Sequence, residues 1–162
     1  MHEVISQVIS FLLLIVIVWF NYTIANIAVT LYKCKKADKS LHFCFNSTGK
    51  IVYSVLLILY IVGFIGGIVA IVYGLTHDSI NIYNAGLNVA ALISVIFGYF
   101  LSSIVLAGKK YMLVGRMMID YRKLKKVNFT TSNKMSFVYV QNDYSFSTRF
   151  VDKTQLRKII AR

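Results

Sequence analysis

The chain has 162 residues, 57% of them hydrophobic, and a mean hydropathy of +0.66, which is more apolar than a soluble domain of this size hides in its core. Eighteen Lys and Arg against six Asp and Glu give a formal net charge of +12, and proline is absent, so the usual cause of a helix kink is missing. Three long charge-free stretches exclude an ordinary soluble fold and predict an α-helical integral membrane protein with three transmembrane helices and a small α+β module after them.

Met1-His2-Glu3, with neither Lys nor Arg, forms no basic n-region, and the apolar run that follows far exceeds the roughly 7–15 residues of a signal-peptide core. Val4–Tyr32, 29 residues without charge, is the first expected span, long enough to tilt or to project past a hydrocarbon core of about 30 Å. Its second half holds Trp19, Asn21, Tyr22 and Asn26, and the two asparagines are suited to hydrogen-bond across to a neighbouring helix.

Tyr32–Lys50 reads as a loop, with Lys33, Lys35, Lys36 and Lys39 at the membrane surface. Such a cluster attracts anionic lipid by about 1 kcal/mol per basic residue, or simply fixes topology. Cys34, His42 and Cys44 lack a fourth donor and the paired spacing of a zinc site, so no metal is expected. Both cysteines fall in the loop predicted to be cytosolic, where reducing conditions argue against a disulfide.

Ile51–Leu75 is the second expected span and carries Gly63, Gly66, Gly67, Ala70 and Gly74. Thr76–Asn84 is expected to be a short outer loop. Ala85–Gly108, 24 residues without charge, is the third span, about 36 Å as a helix. Here a small residue returns every fourth position, at Gly86, Ala90, Ser94, Gly98 and Ser102. Small residues on one ridge let another backbone approach closely. The two ridges predict helix packing within the chain, with homo-oligomerisation through the same faces as the competing reading. No span contains an ionisable residue, which disfavours a pump or a proton-coupled carrier.

From Lys109 short apolar runs replace the continuous ones. Tyr111–Val114 and Met117–Tyr121 flank a turn at Gly115-Arg116, and Leu124–Phe129 leads to a polar turn over residues 130–133. Lys134–Gln141 and Tyr144–Val151 flank Asn142-Asp143, a pair suited to a tight hairpin. Asp152 with Gln155 three residues on forms a capping-box pattern, ahead of an apolar stripe at Leu156, Ile159 and Ile160. The tail from residue 109 to 162 therefore predicts a β-meander closed by one helix. Fifty-four residues make a marginal core, so support from the membrane, the loop 33–50 or a second copy is expected.

The run Lys109–Phe129, with Ile119-Asp120-Tyr121-Arg122-Lys123-Leu124-Lys125 at its centre, resembles the post-membrane segment of small YobD-like bacterial membrane proteins. It is similar in cadence to bacterial membrane-attached modules of pleckstrin-like type. The resemblance covers about a third of the chain and implies three spans, a short β-rich, helix-capped cytosolic segment and a bacterial plasma membrane. It implies no activity.

The charge is sharply placed. Residues 33–50 carry a net +4 and residues 109–162 a net +10, whereas the rest holds only Glu3 and Asp78. All basic residues thus lie in alternate non-membrane segments, the positive-inside pattern, which predicts the N-terminus outside and the C-terminus in the cytosol. Basic flanks are routine beside spans, so nucleic acid is the weaker reading of the charge.

No nucleophile elbow, phosphate loop or zinc motif is present, and the histidines are scattered, so neither catalysis nor a cofactor is expected. The leading reading is a non-enzymatic accessory or regulatory protein. Its basic surface, Lys33, Lys35, Lys36, Lys109, Lys110, Arg122, Lys123, Lys125 and Lys126, would bind a membrane-protein partner or the anionic lipids of the inner leaflet. The alternative is an immunity protein against a membrane-active toxin or bacteriocin.

Overall fold

A computed structural model describes residues 2–130 and 133–160, without the side chains of residues 2–4 and 6. Three helices are long and apolar enough to cross a membrane: α1 (His2–Ala37), α2 (Ser47–Thr76) and α3 (Ile80–Ser102). A small β-rich region holds β1 (His42–Phe43), β2 (Val105–Ala107), β3 (Tyr111–Val114), β4 (Met117–Asp120), β5 (Leu124–Thr130), β6 (Lys134–Tyr139) and β7 (Asn142–Ser147), closed by α4 (Lys153–Ile160).

The helix limits depart from the expected spans, each for a physical reason. Charge ends an apolar run without ending a helix, so α1 continues through Lys33, Lys35 and Lys36; α3 takes in the partly polar but uncharged residues 80–84, which shortens the link between α2 and α3 to residues 77–79. The third span does not reach Gly108. Its helix stops at Ser102, and Val105–Ala107 is a buried strand, a case in which an apolar run alone cannot separate strand from helix.

The chain forms two compact units. The first, Met1–Ala25 with Ser54–Tyr99, is helical. Gly67 and Gly86 bring α2 and α3 together: a methyl group added at Gly86 would lie 2.7 Å from the Gly67 carbonyl oxygen, and one at Gly67 would lie 3.0 Å from the Ala90 methyl. Gly98 instead meets Phe20 of α1, and buried Ser94 accepts a bond from Asn21. A four-residue repeat turns by about 40° per step on a helix of 3.6 residues per turn, so the ridge of α3 starts against α2 and finishes against α1.

The second unit is Asn26–Tyr53 with Phe100–Arg162. Its antiparallel sheets have the orders β1-β2-β3-β4 and β5-β6-β7. The interior between them contains Val105, Ala107, Met112 and Ile119 from the first sheet, Met135 and Phe137 from the second, and Leu156 from α4. The other face of the first sheet carries Leu106, Leu113 and Met118, which pack with Leu31 and Cys34 of α1, Tyr53 of α2 and Leu101 of α3. That sheet is therefore covered on both sides, which is how so short a tail acquires a core.

The last hairpin turns at Val140-Gln141, not at the expected Asn142-Asp143. Val140 and Gln141 take φ values of 48° and 66°, and Asn142 pairs with Tyr139. This register sets Phe137 opposite Tyr144, with stacked rings 5.7 Å apart, and Met135 opposite Phe146. Cross-strand aromatic pairing on the buried face outweighs the turn preference of Asn-Asp. Thr131 and Ser132 of the preceding expected turn lie outside the described residues.

Candidate functional site

The segment between α1 and α2 is woven into the second unit. Asp38 accepts hydrogen bonds from the N–H and hydroxyl of Ser40, at 2.9 and 2.5 Å, and Ser40 Oγ accepts from the Lys109 N–H at 2.8 Å. The Ser40 hydroxyl beside it, above all, holds the Asp38 carboxyl below its ordinary range. Cys44 donates its N–H to Val105 and accepts one from Asp152. Asn46 accepts the Gly49 N–H at 2.6 Å, capping α2, while its amide reaches the Arg149 carbonyl at 3.1 Å.

These bonds merge the two basic stretches of the sequence. The Ser40–Lys109 contact sets Lys39 beside the Lys109-Lys110 turn, and the Lys110 carbonyl accepts the Tyr121 N–H, which leads on to Arg122 and Lys123. Lys33, Lys35 and Lys36 are exposed on the last turns of α1; Lys109, Lys110, Arg122, Lys123, Lys125 and Lys126 are exposed on the tail. Lys126, at φ 50°, stands in the irregularity between β5 and β6. Among the described residues the one ion pair is Arg122–Asp120, at 3.1 Å. The lysines of the patch make none, although Asp38 lies close enough to interact with Lys110 and Asp120 with Lys123, so the patch presents a net positive charge.

The packing residues are distributed unequally. Gly63 lies near Ile93, Gly74 near Tyr83, and Gly67, Gly86 and Ala90 meet one another. Gly66 faces open space, and with Gly63, Ala70, Ala85 and Val89 it lines an apolar groove of about 360 Å³. Ser102 ends α3 on its exposed side. Asn21 bonds to Ser94 at 2.9 Å and accepts from the Tyr60 hydroxyl at 2.5 Å, joining all three helices, whereas Asn26 is exposed.

The chain matches no family model, no curated protein and no solved structure. Its chemistry must be read from its own groups. Among the described residues no group of three His, Cys, Asp or Glu could hold a metal ion. Cys34 and Cys44 are buried in separate apolar clusters, and burial pushes the Cys44 thiol up to about 11. Neither thiol is therefore a useful probe of sidedness in the native protein. His42 donates from Nδ1 to the Ser40 carbonyl at 3.0 Å, leaving Nε2 toward the Gln155 amide. Gln155 thus departs from a capping box, although Asp152 caps α4 by accepting the Thr154 and Gln155 N–H groups.

Sequence reasoning missed the Asp38–Ser40 clamp and Tyr60 as the partner of Asn21. An Asp two residues ahead of a Ser is a local turn signal that pointed to the first. Nothing local marks the second.

Proposed function

We propose that this chain is a non-enzymatic, three-span protein of a bacterial plasma membrane, N-terminus outside, whose cytosolic module binds anionic lipid headgroups. The observation that carries the reading is the merged basic patch, Lys39, Lys109, Lys110 and Lys123, free of ion pairs and joined through the Ser40–Lys109 bond.

The test uses full-length protein in bilayers of phosphatidylglycerol and phosphatidylcholine, with spin-labelled lipids reporting which species contacts the protein. Preference for the anionic lipid should fall with salt. At about 1 kcal/mol per charge it should drop by well over about tenfold when the four lysines become Glu. An unchanged preference would remove the lipid reading.

A second reading, an accessory subunit docked through its spans, draws on the open groove at Gly66 and Ala85. Gly66→Leu would fill it, and a membrane protein that co-purifies with the parent should then be lost. Retention of that protein counts against the groove.

A further inference from the structure

The first sheet of the second unit has one face toward the module interior and one toward the ends of α1, α2 and α3. Strand β1 extends that second face at its edge. Phe43 pairs with Leu106, and residues directly opposite in an antiparallel pair project to the same side, so Phe43 shares the helix-facing side with Leu106. Leu106 is 1% exposed there, yet Phe43 is 47% exposed.

Phe43 is not an isolated surface phenyl. Its ring stacks on Phe45 at 5.3 Å, and Phe45 stacks on Tyr53 of α2 at 4.6 Å. The Tyr53 ring meets Phe100 of α3 edge-on at 6.4 Å and Phe150 at 6.1 Å, and its hydroxyl donates to the Phe100 carbonyl at 3.0 Å. An unbroken aromatic row therefore leaves the helices and ends at an exposed ring on the module's edge. Exposed lysines border it: Lys50 stands in the first turns of α2 and Lys39 precedes β1.

Aromatic rings with cations beside them are the side chains that settle at the boundary between hydrocarbon and headgroups. Phe43 thus lies on the sheet face that packs on Leu31, Tyr53 and Leu101, yet is left uncovered by them. We propose that the β1 edge, with Phe43 at its tip, is inserted in the headgroup layer of the same leaflet from which α2 and α3 emerge, anchoring the module flat against the membrane. The inference rests on the three-span reading but needs no anionic lipid, because ring burial supplies the contact.

The experiment uses the full chain. Trp19, the one tryptophan, is replaced by Phe, and Phe43→Trp becomes the fluorescent probe in phosphatidylcholine bilayers. Lipids brominated near the headgroup or deep in the chain report depth. Val140→Trp, on the 62% exposed turn of the other sheet, is the water-facing control. The expected result is short-wavelength emission from position 43, quenched most by the shallow bromines and little by aqueous iodide, with the reverse at position 140. Water-like emission at position 43 overturns the proposal, and so does equal lipid quenching at both positions, which would mean that the module has no fixed face. Circular dichroism of each variant guards against misfolding. If Phe43→Trp disrupts the fold, a nitroxide at position 43 in the cysteine-substituted chain gives the same depth reading. Because these bilayers are zwitterionic, failure here leaves the anionic-lipid reading standing, and loss of anionic preference leaves this one standing.

Discussion

Asn21→Leu should destabilise the helical unit by about 1–2 kcal/mol. The substitution keeps the branching and heavy-atom count of the side chain and removes two interhelical bonds, from Nδ2 to Ser94 Oγ at 2.9 Å and from the Tyr60 hydroxyl to Oδ1 at 2.5 Å. The third bond, to the Ile17 carbonyl, lies within α1 and adds little. Interhelical hydrogen bonds in membranes average about 0.6 kcal/mol and reach about 1.7, so two bring between about 1 and 3.5. The lower part of that range is expected because the Ser94 hydroxyl can turn back to a carbonyl of its own helix. Unfolding of the full chain in mixed micelles by a denaturing detergent measures the change. Ser94→Ala and Tyr60→Phe, alone and combined with Asn21→Leu, complete two double-mutant cycles. A coupling below about 0.3 kcal/mol in both, or a more stable Asn21→Leu protein, would refute the idea that this polar cluster ties the three helices together.

The strained hairpin makes the opposite prediction. Val140 and Gln141 occupy the left-handed region, at a cost of roughly 1–2 kcal/mol each for ordinary residues, so Val140→Asn with Gln141→Gly should stabilise the β6–β7 hairpin. Slower amide exchange over residues 134–147 is the readout, and faster exchange would show the turn to be misplaced. Asp152 supplies a pH signature. The Thr154 hydroxyl, then the Gln155 and Thr154 N–H groups, hold its pKa below 3.8. The unfolded chain therefore takes up the proton first. The stabilisation is complete above the ordinary carboxyl value and is lost as pH falls through the lower folded one. Asp152→Asn keeps the cap and should flatten the decline of thermal stability between about pH 5 and 3. An unaltered slope would mean that the carboxylate of Asp152 contributes nothing to it.

Much of the architecture was legible because it depends on local pattern. Charge-free runs marked the three helices, the Gly115-Arg116 turn marked β3 and β4, and Asp152 marked the start of α4. The departures share a cause: residues far apart decided them. Val105–Ala107 is apolar enough for a membrane and became a strand because β1 and β3 lie on either side of it. The hairpin moved by two residues because Phe137 and Tyr144 align better that way. Of the basic surface, the residues were evident, but their union was not, since it depends on one serine, Ser40, 69 positions from Lys109. The two ridges of small residues were visible as periodicities. That Gly66 faces a groove while Gly67 meets α3 is a matter of one residue of rotation.

Strand β1 also imposes an order on biogenesis. It leaves the ribosome long before β2, with α2 and α3 between them, and in the three-span arrangement proposed above the two strands pair only if both reach the same side of the membrane. An even number of crossings between them satisfies that requirement, and a failed insertion of either helix breaks it. A chain in which α2 or α3 fails to cross leaves Cys44 without its bonds to Val105 and Asp152 and the first sheet without its edge. Completion of the module thus doubles as a check on how the chain was threaded, and mis-threaded copies would carry an open, apolar sheet of the kind that quality-control proteases recognise.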